Sequence, residues 1–456
     1  MIPLPQTRGK RFGVMGLGKS GRAAARALAA SGAEVLAWDD KADTVPEGSQ
    51  RHDFAQGPWP ALEGMVWSPG IPFEHPAPHA VAVRAVREGC PLVCDIDLLA
   101  EAGTGATLVG VTGTNGKSTT TALLAHVLQT AGRPAIAGGN IGAAALDLPP
   151  LGGDGVYVLE LSSYQLELCR SAHFRIGLWL NLTPDHLDRH GGLHGYASAK
   201  ARLWRHTRPG DVAVIGTDGA FGRAEAARAA AEGRRVIPVS GTRLPEGGVG
   251  VADGHLVSAI DGEPRTVARL ADCRALPGDH NAENAAAVAA AALTLGLPAE
   301  AIAAGLAAFP GLAHRQERVR RIGHVDYVND SKATNAESTA KALVCYPRIY
   351  WIIGGLAKAG GIVPLTSLFG RVAHAFLIGE SARAFATTLE AAAIPHSLEG
   401  DLIPALAAAH AAAQADPQPS TVLLSPACAS FDQWPNFEAR GDAFRAAVLA
   451  LEEHRP

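Results

Sequence analysis

The chain has 456 residues, 47% of them hydrophobic, and a formal net charge of −4. That length exceeds one ordinary domain and sets a prior of roughly three, while the mild acidity gives no electrostatic ground for nucleic-acid binding. No run approaches the roughly 18 uncharged apolar residues of a membrane span, no basic segment leads into an apolar stretch at the start, and six Cys are too few for a disulfide framework; the chain reads as cytoplasmic, with Cys90 and Cys94 as buried thiols.

In chain order, Arg11–Met15 reads as a strand and Gly16-Leu17-Gly18-Lys19-Ser20-Gly21 as a tight turn opening an Ala-rich helix. Glu34 to Asp39 is the next strand, so a G-x-G-x-x-G turn is followed, close to 20 residues on, by an acid. Such a turn binds a pyrophosphate at a helix start; it does not say which nucleotide. Ser68-Pro-Gly-Ile ends a further strand, and this first unit runs to about residue 97.

Leu108 to Leu124 is the stretch around which the chain is organised: an apolar strand, a turn of Gly and small hydroxyl residues, then a helix. Small residues let backbone N–H groups approach an anion, the helix start adds its positive end, Lys117 adds a charge, and Ser118 or Thr119 can hold Mg²⁺. The loop is shorter than the usual phosphate loop, because Val111 stands where the first Gly is expected. Gly138 to Gly142 is a tight turn around Asn140. Val156–Glu160 is a buried strand ending in a lone carboxylate, which either forms a salt bridge at the strand end or meets a cation, for which Mg²⁺ is the economical answer. Asp185 and His186 sit in a loop that reads equally as metal ligands or as plain surface. Lys200, in a helical segment, reads by itself as a surface lysine.

Arg235–Val239 and the segment from Val249 carry hairpin-like signals and suggest peripheral β structure. Asp279 is placed to cap a long Ala-rich helix on which Asn281 and Asn284 share a face. Pro310-Gly311 punctuates the chain before a third α/β unit with strands at Val325, Ile349, Ala375 and Thr421.

These blocks together resemble the Mur ligase family. Thr112-Gly-Thr-Asn-Gly-Lys-Ser-Thr is similar to the ATP-binding signature that Mur ligases share with folylpolyglutamate synthases. Asn329-Asp-Ser-Lys-Ala-Thr-Asn335 and the block from Leu424 to Gly441 are similar to those of the D-glutamate-adding members. The Asp-Asn-Pro-Arg motif expected of members that add diaminopimelate or lysine is not found.

The resemblance implies an α/β fold of three domains: a Rossmann-like UDP/substrate-binding domain over 1–97, a central P-loop ATPase-like domain over 98–312, and a C-terminal Rossmann-like amino-acid-binding domain over 313–456. It implies ATP-dependent addition of D-glutamate to UDP-N-acetylmuramoyl-L-alanine in peptidoglycan precursor synthesis. Gly16, Leu17, Gly18, Lys19, Ser20, Asp39, Lys41, Ser68 and Asn140 would meet the UDP substrate. Gly113, Thr114, Asn115, Gly116, Lys117, Ser118 and Thr119 would hold ATP, with Asn281, Arg315 and Asp330. Two Mg²⁺ would sit among Ser118, Thr119, Glu160, His186 and Lys200, the last carrying a CO₂-derived carbamate. Lys117, His186 and Lys200 would serve catalysis, and Lys332, Thr334, Lys358, Ser430 and Phe437 would surround D-glutamate. Lys41 stands where an Arg is frequent, and Trp434-Pro435 interrupts the last signature.

Other readings stay open at this point. A ligase for a different amino acid would share the phosphate loop. A nicotinamide oxidoreductase built on the Gly16 turn would leave Lys117, Glu160 and the C-terminal block unexplained.

Overall fold

The computed structural model describes residues 1–451. In chain order the elements are β1 (Arg11–Met15), α1 (Lys19–Ala30), β2 (Glu34–Trp38), β3 (Ser49–Arg51), β4 (Gly64–Trp67), α2 (Ala80–Arg87), β5 (Leu92–Val93) and α3 (Asp95–Glu101). Next come β6 (Thr107–Thr112), α4 (Lys117–Thr130), β7 (Ala135–Gly139), β8 (Val156–Glu160), α5 (Ser163–Leu168), β9 (Ile176–Trp179), α6 (Leu193–Ala201), β10 (Val212–Gly216), α7 (Ala220–Ala231) and β11 (Arg235–Val239). They are followed by β12 (Val249–Ala252), β13 (His255–Ser258), β14 (Arg265–Arg269), α8 (Asp279–Thr294) and α9 (Ala299–Ala308). The chain ends with β15 (Glu317–Ile322), β16 (Val325–Asn329), α10 (Ala336–Leu343), β17 (Ile349–Gly354), β18 (Leu356–Ala357), β19 (Val372–Ile378), α11 (Ala382–Ala391), β20 (His396–Gly400), α12 (Leu402–Ala415), β21 (Ser420–Leu424), β22 (Cys428–Ala429) and α13 (Phe437–Leu449).

Two compact units result: residues 1–273 with 281–309, and residues 274–280 with 310–456. The first unit holds two sheets. One has five strands, all parallel, in the order β3-β2-β1-β4-β5. The other has nine, in the order β14-β13-β12-β11-β10-β9-β6-β8-β7. In each sheet a Gly-rich turn leaves the carboxyl end of a strand flanked on both sides, β1 between β2 and β4, and β6 between β8 and β9. Those are the places where an open α/β sheet binds ligands, because successive connections leave a crevice there. One continuous apolar core runs under both sheets, from Ile2 and Val14 through Leu98 to Leu159 and Trp179.

β11 is not half of a hairpin, contrary to the sequence reading. It runs parallel to β10, and β12 in turn runs parallel to β11; only β12, β13 and β14 form an antiparallel meander. Asp279 is the first residue of α8 rather than its cap. Ala285 to Ala292 of that helix are buried on every side, as an apolar helix without a polar face requires.

The second unit has one larger sheet, β15-β16-β21-β17-β19-β20, parallel except for the β15 edge, and a short ribbon of β18 with β22. Among the described residues no helix is long and apolar enough to cross a membrane. Cys90 and Cys94 are buried and free, as expected.

Candidate active site

In the five-stranded sheet, Gly16 has φ +89°, and a Cβ at Gly21 would lie 1.8 Å from the Gly16 carbonyl oxygen, so both positions need glycine. A Cβ at Gly16 would come within 2.4 Å of Ser68, which places Ser68 against the turn. Lys19 Nζ donates to the carbonyl of Gly142, so the turn carrying Asn140 lies beside the Gly16 turn. Asp39 accepts from the N–H of Leu17 at 2.6 Å, of Lys41 at 2.8 Å and of Ala42 at 3.1 Å. Burial pushes its carboxyl up, but those three N–H groups outweigh burial and hold the pKa below the usual value. The acid therefore shapes the turn. Lys41 is exposed nearby.

In the nine-stranded sheet, β6 leads into residues 113–116 and α4 begins at Lys117. Gly116 sits at φ +85°, and a Cβ there would lie 2.4 Å from Asn284 Oδ1. The loop is braced from β9's extension: Asn115 N–H donates to Asn181 Oδ1 at 2.9 Å, and Thr183 N–H donates to Thr114 Oγ1 at 3.0 Å. Lys117 Nζ folds over the loop and donates to the carbonyls of Gly113 at 2.9 Å and Thr114 at 2.8 Å. From α8, Asn284 accepts from Thr120 Oγ1 at 3.1 Å and donates to Asn281 at 3.1 Å, tying Asn281 to the start of α4.

Glu160 ends β8 opposite Val111 of β6, 3% exposed. Its Oε1 accepts from Asn140 Nδ2 at 2.8 Å, while Oε2 is buried with no hydrogen-bond partner among the described residues. An orphaned buried carboxylate oxygen is costly and fits a cation.

Lys200 is no surface residue: it is 1% exposed. α6 lays it beneath the phosphate loop, where Nζ donates to Gly113 O at 2.8 Å and stands 4.5 Å from the Tyr196 ring centroid. Burial, and next the charge of Lys117, hold its pKa well below the ordinary lysine range. A neutral amine is the form that adds CO₂, so the residue present fits a carbamate. His186, with φ +52°, is half-exposed; its ring packs 5.1 Å from Tyr164 and its Nε2 lies 3.4 Å from Asp185. Burial foremost lowers its pKa. Among the described residues no three His, Cys, Asp or Glu side chains converge as a preformed metal cluster. The Glu160 carboxylate and the hydroxyls of Ser118 and Thr119 are oxygen donors of the kind Mg²⁺ takes.

In the second unit, Asp330 follows β16 and is buried, accepting from Ser425 Oγ at 2.8 Å and Gln316 N–H at 3.1 Å. Burial pushes its pKa up to about 7. Because the folded value lies above the unfolded one, this carboxyl contributes stability that is present in acid and lost as pH rises from about 4 through about 7. Asp330→Asn should thus flatten the loss of unfolding free energy between pH 5 and pH 8; denaturant titrations giving the same pH slope for both proteins would contradict this. Arg315 follows His314, which is held at φ +63° by Asn329 at 3.1 Å.

Lys332 Nζ lies 3.7 Å from the Phe437 ring centroid. Thr334 N–H donates to Lys332 O at 2.8 Å. The β18–β22 ribbon sets the start of the Lys358 loop beside the segment leading to Ser430. Arg440, which lies inside the C-terminal signature block, is the brace of this region: 1% exposed, it donates to Ser331 Oγ at 3.0 Å and O at 2.8 Å and to Cys428 O at 3.2 Å. Its place one helical turn after Phe437 was the available signal.

The pattern described as the Mur ligase middle domain matches residues 111–292, and full-length relatives at 50% identity show the protein to be a Mur ligase. The UDP-N-acetylmuramoylalanine–D-glutamate ligase of Rhodospirillum rubrum is 50% identical over 466 aligned residues, spanning 100% of this chain and 98% of that protein. The protein of the same name from Paramagnetospirillum magneticum is 50% identical, with 99% of each covered. This chain belongs to the family of UDP-N-acetylmuramoylalanine–D-glutamate ligases. The solved UDP-N-acetylmuramate-alanine ligase MurC of Thermotoga maritima shares the fold, with TM-score 0.57, 16% identity, and 97% of this chain and 99% of that one covered.

Proposed function

We propose that this enzyme joins D-glutamate to UDP-N-acetylmuramoyl-L-alanine with ATP, releasing ADP and phosphate, in cytoplasmic synthesis of peptidoglycan precursors. The observation that carries the reading is the single sheet edge that gathers the Lys117 loop, the half-satisfied Glu160 and the buried Lys200 amine. The nicotinamide alternative explains none of the three.

In this reading residues 1–97 hold the UDP substrate, 98–312 hold ATP and 313–456 hold D-glutamate. The substrate carboxylate attacks the γ-phosphorus and ADP leaves, giving an acyl phosphate. Lys117 exchanges its loop carbonyls for phosphate oxygens and spreads the transferring charge. The amine of D-glutamate then attacks the acyl carbon; the tetrahedral intermediate expels phosphate, and the amine gives up a proton. Lys332, Thr334, Lys358, Ser430 and Phe437 bind the amino acid. Asn281, Arg315 and Asp330 are assigned to the nucleotide. Gly16 to Ser20, Asp39, Lys41, Ser68 and Asn140 are assigned to the UDP substrate.

Mg²⁺ would be held by Glu160, Ser118, Thr119, His186 and carbamylated Lys200, and when bound supplies neutralisation of phosphate charge. The carbamate forms by addition of the neutral Lys200 amine to CO₂ with loss of one proton.

The experiment is phosphate release from ATP with Mg²⁺ and UDP-N-acetylmuramoyl-L-alanine, comparing D-glutamate with L-glutamate, L-lysine and no amino acid. Release with D-glutamate alone is expected. Release with another amino acid would reassign the second unit's pocket.

A further inference from the structure

Three side chains beside the candidate metal groups form a constellation that the reaction above does not use. His190 Nδ1 lies 2.6 Å from Glu167 Oε1, and its Nε2 lies 2.8 Å from Ser163 Oγ. Ser163 and Glu167 are i and i+4 on α5 and so share a helix face. The other Glu167 oxygen is 2.9 Å from Arg189. A carboxylate only accepts, so Nδ1 carries the proton and Nε2 faces the serine hydroxyl.

This is the geometry of a Ser-His-carboxylate hydrolase, but the His190 side chain has no exposure and Ser163 is 3% exposed. No substrate reaches that hydroxyl, so nucleophilic catalysis does not fit and a positioning role does. The imidazole lies where three elements meet. α5 begins three residues after Glu160. The segment 183–190 carries Asp185 and His186. α6 carries Lys200, and a Cβ on its Gly195 would fall 1.9 Å from His190 O. The His190 ring also packs 5.4 Å from Tyr164, itself against His186, and 5.3 Å from Tyr196, itself under Lys200.

We propose that Ser163, His190 and Glu167 are positioning residues that pin the 183–190 segment to α5 and thereby set where Asp185 and His186 face a divalent cation. The part concerning the cation rests on the function proposed above. Groups that orient ligands from behind act through geometry, and their loss typically weakens metal affinity about 10- to 100-fold.

His190→Phe keeps the ring and its aromatic neighbours and removes both hydrogen bonds. His190→Asn keeps a donor near the Glu167 position, and Ser163→Ala removes one bond with little change in shape. The measurements are amide hydrogen exchange across residues 183–190 in the metal-free full-length protein, and equilibrium Mn²⁺ binding by electron paramagnetic resonance with a non-hydrolysable ATP analogue.

Exchange about tenfold faster in His190→Phe is expected, as for the loss of one or two net hydrogen bonds. Mn²⁺ affinity should fall about 10- to 100-fold, with Ser163→Ala weaker in effect and His190→Asn restoring part of both. Should His190→Phe fail to fold, Ser163→Ala decides by the same two readouts. Unchanged exchange and unchanged Mn²⁺ affinity, with wild type binding Mn²⁺, would overturn the triad alone. Failure of wild type to bind Mn²⁺ would overturn the metal reading and the cation part of this proposal with it.

Discussion

On the proposed reading, replacing Lys200 with Ala should cost at least about 10³-fold in kcat, because losing an anionic metal ligand would remove several kcal/mol of charge stabilisation. A structural lysine at this place would be hard to rationalise: the amine is 1% exposed, close to the Lys117 charge, and its nearest acceptor is one loop carbonyl at 2.8 Å. Those surroundings disfavour the ammonium and leave a nucleophilic amine. Acetate or formate, filling the space of the missing carbamate, should restore part of the activity of Lys200→Ala. With ¹³CO₂ the wild-type enzyme should give a carbamate carbonyl resonance that the variant lacks. Full activity of Lys200→Ala, or no resonance in the wild type, would remove the carbamate from the account.

On the same reading, Lys117→Ala is expected to lower kcat/KM by on the order of 10²- to 10³-fold, the usual effect of deleting one preorganised group that stabilises transition-state charge. It has a second consequence that an isolated phosphate ligand would not have. The Lys117 charge is, after burial, the largest influence holding the Lys200 amine neutral. Its removal lets the Lys200 pKa rise toward its ordinary range, so less of the amine is free to take up CO₂. The ¹³C carbamate signal of Lys117→Ala at a fixed CO₂ pressure should therefore be weaker than that of the wild type near neutral pH. An equal signal would show that the two lysines do not couple.

The parts of this protein governed by local periodicity and turn chemistry were readable from its residues. The β1 turn, the β6 loop and the lone Glu160 each stand out because a Gly run or an acid interrupts an apolar strand. β15 (Glu317–Ile322) escaped notice because an edge strand rich in Arg carries no apolar alternation. β11 misled because Pro238 and the following turn residues resemble a hairpin, whereas its partners β10 and β12 are set by crossover connections.

The burial of Lys200 could not be read either, since α6 has no apolar stripe and its lysine is enclosed only once the loop packs over it. Asp39 was found by its spacing and its surroundings were not. The three N–H groups it holds belong to the turn after β1 and to the residues just past β2.

That arrangement at Asp39 bears on how this first domain could be re-engineered. In nicotinamide enzymes the acid at the corresponding place meets a ribose hydroxyl, and exchanging it is a route to switching cofactors. Here the same side chain also holds the turn through three N–H groups, so on the proposed reading its exchange would disturb the nucleotide's seat as well as its contacts. On the proposed reading, retuning nucleotide preference is simplest at the side chains of Lys41, Ser68 and Asn140, which take no part in the N–H contacts that Asp39 holds.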